Sequence, residues 1–362
     1  MRILAIDIGG LTQDILLFDT SQTIENCVKM IMPSPTYNLA VAIRKATQAG
    51  RPVFFTGTNM GGGPSKKALR AHIQAGFQAF ATPEASATFD DDPEQVRKMG
   101  VQIITEDRKP LGNDLETIRT GDLNMEAFEK ALRAFDVDPR IDALTIAVLD
   151  HGAAPPGVSD RVFRFQHLEE TVKLRRSLFD FAYLKGEIPP HLTRMKAVAE
   201  SLERDIPLLV MDTPIAAAIG ALEDPVVAGH SHRLIVNAGN FHTLAFHLKG
   251  DSICGLFEHH TRLLNIDRID NMVTRLVSGE LTGKEVYEDE GHGCLVMESS
   301  DDFPFIAVTG PQRGLMNHSK LNPYFAAPYG DMMLTGCFGL VRAFARKSPE
   351  WTGEIERALQ RS

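Results

Sequence analysis

Residues 7–14 read Asp-Ile-Gly-Gly-Leu-Thr-Gln-Asp and lie between two apolar runs, at 2–6 and 15–18. Two short strands joined by a glycine-containing turn predict a β-hairpin. The turn carries what a phosphate clamp requires: glycines that let backbone N–H groups approach an anion, the hydroxyl of Thr12, and the carboxylate of Asp7, which can hold Mg²⁺ through water. Taken alone, the stretch is equally compatible with a simple turn.

The second half of the chain repeats this pattern of two apolar runs around a glycine-containing turn, although the residues themselves differ. An apolar run from Arg233 ends in Asn237-Ala238-Gly239-Asn240, and a second run extends from Thr243 to Leu248. Two strands around a glycine-containing turn again predict a hairpin. The repeat therefore predicts two related halves.

Three further segments stand in a fixed order around the second hairpin. Asp212 follows an apolar strand and precedes a helix of very small residues, Pro214–Ala221, which permits close backbone approach to a neighbouring helix. A strand at 305–308 leads into Thr309-Gly310-Pro311. A final helix is predicted over 331–346.

The order of these segments resembles that of the actin-like ATPase superfamily, which includes actin, sugar kinases and the large heat-shock chaperones. The resemblance spans nearly the whole chain and implies an α/β fold in which two ribonuclease H-like domains flank a nucleotide cleft. It places the first domain at 1–222, with an insertion around 82–124, and the second at 223–362, with the final helix returning toward the first domain. ATP and Mg²⁺ are the implied cofactors.

The resemblance also implies a role for each matching residue. In the first loop, the residues that would hold the terminal phosphates are Gly9, Gly10, Leu11 and Thr12, with Asp7 holding hydrated Mg²⁺. In the second loop, the phosphates would be gripped from the other side by the segment that contains Asn237, Gly239, Asn240 and Thr243. Gly310 would pass under the adenosine.

Asp212 lies where bacterial actin homologues place a carboxylate near the attacking water, so it is the first candidate for a catalytic base. A helix N-cap is an equally good interpretation of this residue. Two departures from the family pattern weaken the expectation of vigorous hydrolysis. Asn237 replaces the usual Asp and removes a charge from the metal site, and Pro311 replaces a common second Gly.

The whole sequence further resembles a family often labelled pyruvate formate-lyase activating enzyme-like. A radical enzyme of that type needs three thiolates close in sequence to hold an iron–sulfur cluster. The four cysteines, at positions 27, 254, 294 and 337, are far apart. We therefore do not carry the label over as a function and interpret the cysteines as small buried hydrophobic residues in a reducing compartment.

Two other segments are weaker candidates for a second substrate. The loop Gly57–Gly63 opens a helix that carries Lys66 and Lys67, which suits an anion but departs from the P-loop spelling. Asp150-His151 follows a strong strand, where α/β folds place ligands, and is a candidate catalytic pair. A plain surface loop and a locally bonded histidine are the respective alternatives.

Several clusters of polar residues are better explained by structural roles than by a binding site. The run Phe89-Asp90-Asp91-Asp92, inside the proposed insertion, is typical of a solvated loop. His230 and His232 are two residues apart, and His259, His260 and His292 follow, but their spacing supplies no third ligand in register and does not predict a zinc site.

Composition limits the class of protein. The 362 residues are 43% hydrophobic and 23% charged, which excludes a disordered chain, collagen and a small disulfide scaffold. The net charge of −9 has the wrong sign for a nucleic-acid-binding surface. The chain has no apolar stretch long enough for a membrane span, and an acidic residue interrupts its first apolar run, so we expect a cytoplasmic protein.

We therefore expect a Mg²⁺-dependent ATP-binding protein that uses ATP for phosphoryl transfer to, or activation of, an unidentified small molecule. The alternative is a nucleotide-dependent switch or assembly protein without metabolic chemistry, which Asn237 favours slightly because a weakened metal site suits slow turnover. A fold that no longer binds nucleotide is a third reading. The acceptor and the oligomeric state, including a homo-oligomer, stay open.

Overall fold

The computed structural model describes residues 1–108 and 114–361, in which strands and helices alternate. The strands are β1 (Arg2–Ile8), β2 (Thr12–Asp19), β3 (Val28–Pro33), β4 (Val53–Gly57), β5 (Ala79–Ala81), β6 (Val101–Ile103), β7 (Glu116–Thr120), β8 (Ala143–Val148), β9 (Ala182–Leu184), β10 (Leu208–Met211), β11 (His232–Ala238), β12 (His242–Lys249), β13 (Ser252–His260), β14 (Gly293–Val296), β15 (Phe305–Thr309) and β16 (Tyr324–Phe325).

The α-helices connect these strands. They are α1 (Pro35–Gln48), α2 (Gly63–Gln74), α3 (Pro83–Ser86), α4 (Pro93–Lys98), α5 (Met125–Ala134), α6 (Asp160–Arg175), α7 (Thr193–Glu200), α8 (Thr213–Ala221), α9 (Pro225–Ala228), α10 (Ile266–Ser278), α11 (Gly283–Glu288), α12 (Thr335–Lys347) and α13 (Pro349–Leu359). Short 3-10 turns lie at Ile24–Asn26, Glu106–Arg108, Leu178–Phe181, Thr261–Leu263, Arg313–Met316 and Pro328–Gly330.

Two six-stranded sheets share one arrangement. The first has the order β3-β2-β1-β8-β10-β9 and the second β14-β13-β12-β11-β15-β16. In the first sheet, β1 pairs antiparallel with β2 and parallel with β8. In the second sheet, β11 pairs in the same way, antiparallel with β12 and parallel with β15. This repeated order confirms the α/β fold with two ribonuclease H-like halves that the resemblance to actin-like ATPases implies.

The first strand shows why its sequence suits the centre of a sheet. Successive side chains of a strand point to opposite faces, and both faces of β1 are buried. Ile3 and Ala5 join the core between the two sheets, whereas Leu4 and Ile6 join a second core that α5 and α7 cover. An almost continuous apolar run is what a strand with two buried faces requires.

The core between the two sheets is built around α8 and α12, which cross closely. A Cβ atom on Gly339 would lie 1.8 Å from the carbonyl oxygen of Ala216, and one on Gly220 would lie 1.7 Å from that of Thr335. The close approach expected for the helix of small residues is therefore confirmed. The far face of the second sheet packs on α10 and α11.

A third sheet lies between β3 and β8 in the sequence. Its order is β6-β5-β4-β7, its four strands are parallel, and it has a core of its own. The sheet begins at β4, well before the insertion predicted around 82–124, and residues 109–113 of that range lie outside the described residues. Phe89 is fully buried in this core, so the solvated-loop interpretation is wrong for that residue, although Asp92 is exposed and caps α4.

The ends of two long helices are clearly defined. The helix after β8 ends at Arg175, because Arg176 adopts a left-handed conformation, and the apolar residues beyond it form a 3-10 turn and the edge strand β9. The final helix begins at Thr335 rather than at residue 331, and a further helix, α13, follows it. No helix among the described residues is long and apolar enough to cross a membrane.

Candidate functional site

A cleft of about 960 Å³ is lined by loops from both halves of the chain. Most of the residues proposed from the sequence line it together, namely Asp7, Gly9, Gly10, Leu11, Thr12, Asp150, His151, Asn237, Gly239, Asn240 and Gly310. Asp212 and Thr243 are absent from the described residues that line the cleft.

The two hairpins have the same turn. The backbone N–H of Gly9 donates to the carbonyl of Thr12 at 2.9 Å, and that of Gly239 donates to the carbonyl of His242, also at 2.9 Å. Asp7 and Asn237 each precede their turn glycine by two residues, so they are equivalent positions. The expected internal repeat is confirmed in the hydrogen bonding of the turns.

The two hairpin tips touch each other. A Cβ atom on Gly10 would lie 2.0 Å from Cε2 of Phe241, so the aromatic ring of the second tip covers the backbone of the first. Phe241 is 41% exposed, so the contact between the tips lies outside the buried core.

Thr243 supports the second turn from behind. It is fully buried, and its hydroxyl lies 2.9 Å from the hydroxyl of Thr261, which in turn donates to the carbonyl of Gly239 at 2.8 Å. The turn equivalence places His242 opposite Thr12, and His242 lines the cleft. The residue equivalent to Thr12 is therefore His242, and Thr243 does not line the cleft.

Two carboxylates of the first hairpin line the cleft together. Asp7 and Asp14 face each other across the hairpin register, and one oxygen of each (Oδ1) is buried with no hydrogen-bond partner among the described residues. Burial raises the pKa of Asp7 well above its usual range, with a further increase from Asp14. Burial also raises the pKa of Asp14 to about 7. Uncompensated carboxylate oxygens that line a cleft are suitable ligands for a hard divalent cation.

Gly310 places the backbone close to the second hairpin. Its φ of +97° lies in the region that favours glycine. A Cβ atom there would lie 2.5 Å from the carbonyl oxygen of Ala238. The turn after β15 is therefore closed against β11, and it leaves a flat backbone surface in the cleft.

Asp150 and His151 follow β8 at the floor of the cleft. The carboxylate of Asp150 accepts hydrogen bonds from the backbone N–H groups of Gly152 (2.8 Å) and Met195 (2.9 Å). Burial raises its pKa to about 6, and the two hydrogen bonds limit the rise. A carboxyl group that titrates close to neutral pH suits general acid–base chemistry.

Asp212 is held in a buried ion pair. Its two oxygens accept from Nη1 (2.8 Å) and Nη2 (3.0 Å) of Arg164, and Nε of the same arginine lies 2.8 Å from both oxygens of Glu258. Arg164 is 1% exposed and joins β10 of the first sheet to β13 of the second. Because Asp212 is paired with a buried cation, whereas Asp150 accepts only from neutral backbone N–H groups, Asp212 is the poorer candidate for a base.

The third sheet contributes one wall of the cleft. The loop before α2 and the lysines Lys66 and Lys67 line it, as does Asp90, whose carboxylate lies 3.3 Å from Nζ of Lys66. Arg194, from α7, binds Asp122 through two nitrogens at 2.7 and 2.9 Å and also lines the cleft. Both lysines that the sequence singled out thus line the same cleft as the two hairpins.

Several solved structures are similar over nearly the full chain. They include an ROK hexokinase from Thermus thermophilus (12% identity, 95% of this chain and 98% of that chain, TM-score 0.32) and the ethanolamine utilization protein EutJ from Carboxydothermus hydrogenoformans (11%, 94% and 89%, TM-score 0.30). A third is the activator of 2-hydroxyisocaproyl-CoA dehydratase from Clostridium difficile with bound ADPNP (9%, 98% and 98%, TM-score 0.34). No curated protein matches the sequence.

A family model matches residues 60–315, which is more than half of the chain. The matched region contains the loop before α2, the Asp150-His151 pair, the buried Arg164 and the second hairpin. The chain therefore belongs to the family described as "Putative pyruvate format-lyase activating enzyme (DUF1786)".

Proposed function

We propose that this protein binds ATP with Mg²⁺ in the cleft and uses it for phosphoryl transfer to, or activation of, a small molecule. The observation that carries the proposal is the pair of hairpins with the same turn that meet at the cleft, one of them flanked by two carboxylates that each have a buried oxygen without a partner among the described residues. Phosphoryl chemistry depends mainly on positioning and charge neutralisation, which such a site supplies.

Each wall of the cleft has a part in this proposal. The backbone of Gly9–Thr12 and of Gly239 and Asn240 would bind the phosphates, and Gly310 would face the adenosine. Asp7 and Asp14 would hold the metal ion, which neutralises phosphate charge when it is bound. Lys66 and Lys67 would then bind an anionic group of the acceptor, and Asp150 would take its proton.

The positions of the cysteines do not support the activity that the family's descriptive name suggests. Cys27 precedes β3, Cys254 lies in β13, Cys294 in β14 and Cys337 in α12. Within the described ranges no three thiols lie together as ligands for one ion. Radical chemistry of that kind uses a cluster held by closely spaced thiolates, so we do not propose it here.

The second candidate function is a nucleotide-dependent switch. It is favoured by one observation, the neutral Asn237 at the position equivalent to Asp7, which lowers the charge available to a metal ion between the hairpins. Such a switch would hydrolyse ATP slowly, and the contact between the hairpin tips would change between its nucleotide states.

Calorimetric titration of ATP, with and without Mg²⁺, tests the proposal. We expect Mg²⁺-dependent binding by the wild-type protein and at least about tenfold weaker binding by Asp7→Asn, because a charge-assisted contact is worth about 1.5–3 kcal/mol. Asp301→Asn, on an exposed loop, is the matched control. The absence of ATP binding by the folded wild-type protein would overturn the proposal, and assembly with ATP but without turnover of any acceptor would favour the switch.

A further inference from the structure

Three imidazoles from distant parts of the sequence converge beside the cleft. His151 follows β8, His242 begins β12, and His292 precedes β14. One ring nitrogen from each lies within 4.8 Å of the other two. We propose that these three histidines form a binding site for a divalent first-row transition metal, separate from the carboxylates of the first hairpin.

The spacing of the nitrogens suits such an ion. Nε2 of His151 lies 3.4 Å from Nε2 of His292. A tetrahedral ion with bonds of about 2.0–2.1 Å to imidazole nitrogen requires its ligand atoms to be about 3.3–3.4 Å apart. Two imidazole nitrogens at this distance are therefore already placed as two ligands of one ion.

The environment keeps the rings of His151 and His292 neutral, as metal ligation requires. Burial, together with His242, Arg164 and His292, holds the pKa of His151 well below its usual range. Burial lowers the pKa of His292 to about 3; Glu258 opposes this decrease, and His242 and Arg164 add to it. Both of these rings can therefore present a nitrogen lone pair at neutral pH.

A carboxylate orients the third ligand. Nδ1 of His242 lies 2.9 Å from Oε1 of Glu258, a fully buried residue that Arg164 also binds. This contact directs Nε2 of His242 away from Glu258 and raises its basicity as a ligand. Carboxylate–histidine–metal arrangements of this kind are the usual support for a metal-bound imidazole.

The site is open on one side. His151 and His242 line the cleft, together with the neighbouring His260, whereas His292 is 2% exposed and lies behind them. An ion held by the three histidines would thus have its remaining coordination position toward the cleft. Three protein ligands with one open position are typical of a catalytic rather than a structural metal, so we assign an oxygen donor, water or a carbonyl or carboxylate oxygen of the acceptor, to the fourth position.

The donor type separates this site from the one at Asp7 and Asp14. Imidazole nitrogens favour zinc, iron, cobalt, nickel or copper, and carboxylates favour magnesium. The two proposals are therefore independent: the histidine site can bind its ion in a protein that does not bind ATP, and the reverse also holds.

Titration of the full-length, metal-free protein with Co²⁺, followed by visible absorption and by competition with Zn²⁺, tests the proposal. We expect one equivalent of Co²⁺ with the intense absorption of a four-coordinate ion, displaced by Zn²⁺ and not by excess Mg²⁺. Replacement of a ligand, in His151→Asn or His292→Asn, is expected to weaken binding by about 100-fold or more, and Glu258→Gln by about 10–100-fold. His318→Asn, exposed and outside the cleft, serves as the control.

Two results would overturn the assignment. One is a folded wild-type protein that takes up no stoichiometric Co²⁺ or Zn²⁺, which is decisive whether or not the variants fold. The other is unchanged affinity in ligand variants whose circular dichroism matches that of the wild type. ATP titration of the same samples shows whether nucleotide binding is retained or lost independently of metal binding.

Discussion

The carboxylate of Asp7 lies directly against the backbone of Gly336: a Cβ atom at position 336 would fall 1.9 Å from Oδ2 of Asp7. Gly336 is the second residue of α12, and the partial positive charge at a helix N-terminus favours a carboxylate in this position. The final long helix therefore holds the acidic residue of the first hairpin in place. It also leaves no room for a side chain at this contact.

We expect Gly336→Ala to displace the Asp7 carboxylate and to weaken Mg²⁺-dependent ATP binding by about tenfold or more. The added methyl group should also lower the free energy of unfolding by about 1–3 kcal/mol. Calorimetry and urea denaturation measure the two effects. Gly353→Ala is the control, because its Cβ would meet only a flexible arginine side chain in a helix interior, where alanine is favoured by about 0.5–1 kcal/mol. Wild-type ATP affinity in Gly336→Ala would show that Asp7 does not act through this position.

The crossing of α8 and α12 gives a second prediction. In Gly339→Ala the new methyl group meets the backbone oxygen of Ala216, which is fixed within a helix. We expect a loss of about 1–3 kcal/mol or more in the free energy of unfolding. Gly10→Ala should cost less than about 1 kcal/mol, since its Cβ meets only the exposed ring of Phe241. Equal losses in urea denaturation would contradict the view that helix backbone contact sets the cost.

Local sequence patterns were sufficient to predict both hairpins and the helix of small residues. A glycine-containing turn between two apolar runs predicts a hairpin within about fifteen residues. The absence of a side chain at Gly220 indicates that another helix can pack closely against it. The third sheet was missed in part because its strands β5 and β6 have three residues each. Runs that short carry little periodicity.

The polar residues of the site required the three-dimensional structure. His151, His242 and His292 are separated by tens of residues in the sequence, and only the pairing of β12, β13 and β14 and the position of β8 bring them together. Arg164 did leave a signal, because it occupies the same helical stripe as Leu168 and Val172, four and eight residues later. An arginine on an apolar stripe predicts a buried ion pair but does not identify its partners.

Arg164 gives a third prediction. In Arg164→Met the carboxylates of Asp212 and Glu258 lose their shared counter-charge inside the protein, and we expect a loss of about 3–5 kcal/mol in the free energy of unfolding. Combining it with Glu258→Gln should restore part of the loss, because one buried charge is then removed. Arg140→Met provides the control, since the side chain of Arg140 is 89% exposed beside Asp138 and ion pairs in solvent contribute little to stability. A small effect of Arg164→Met would show that water reaches the two carboxylates.

Asp14 gives a pH-dependent prediction for the metal-free protein. Its pKa is about 7 in the folded chain, raised mainly by burial and further by Asp331, against an ordinary value of 3.8. Between these two pH values the folded state binds more protons at this residue than the unfolded state does. The contribution of Asp14 to the free energy of unfolding therefore falls as the pH rises from about 4 to 7, and the full cost is present above pH 7.

Asp14→Asn removes this cost without a large change in shape. We expect the variant to be more stable than the wild type at about pH 8, by on the order of 1–3 kcal/mol, and nearly equal to it at about pH 4. Urea denaturation at both pH values in the presence of a chelator measures the difference. Added Mg²⁺ and ATP should reverse the order at the higher pH, because the wild-type carboxylate is then paired with the cation. A stability difference independent of pH would mean that Asp14 has the same pKa in the folded and unfolded chains.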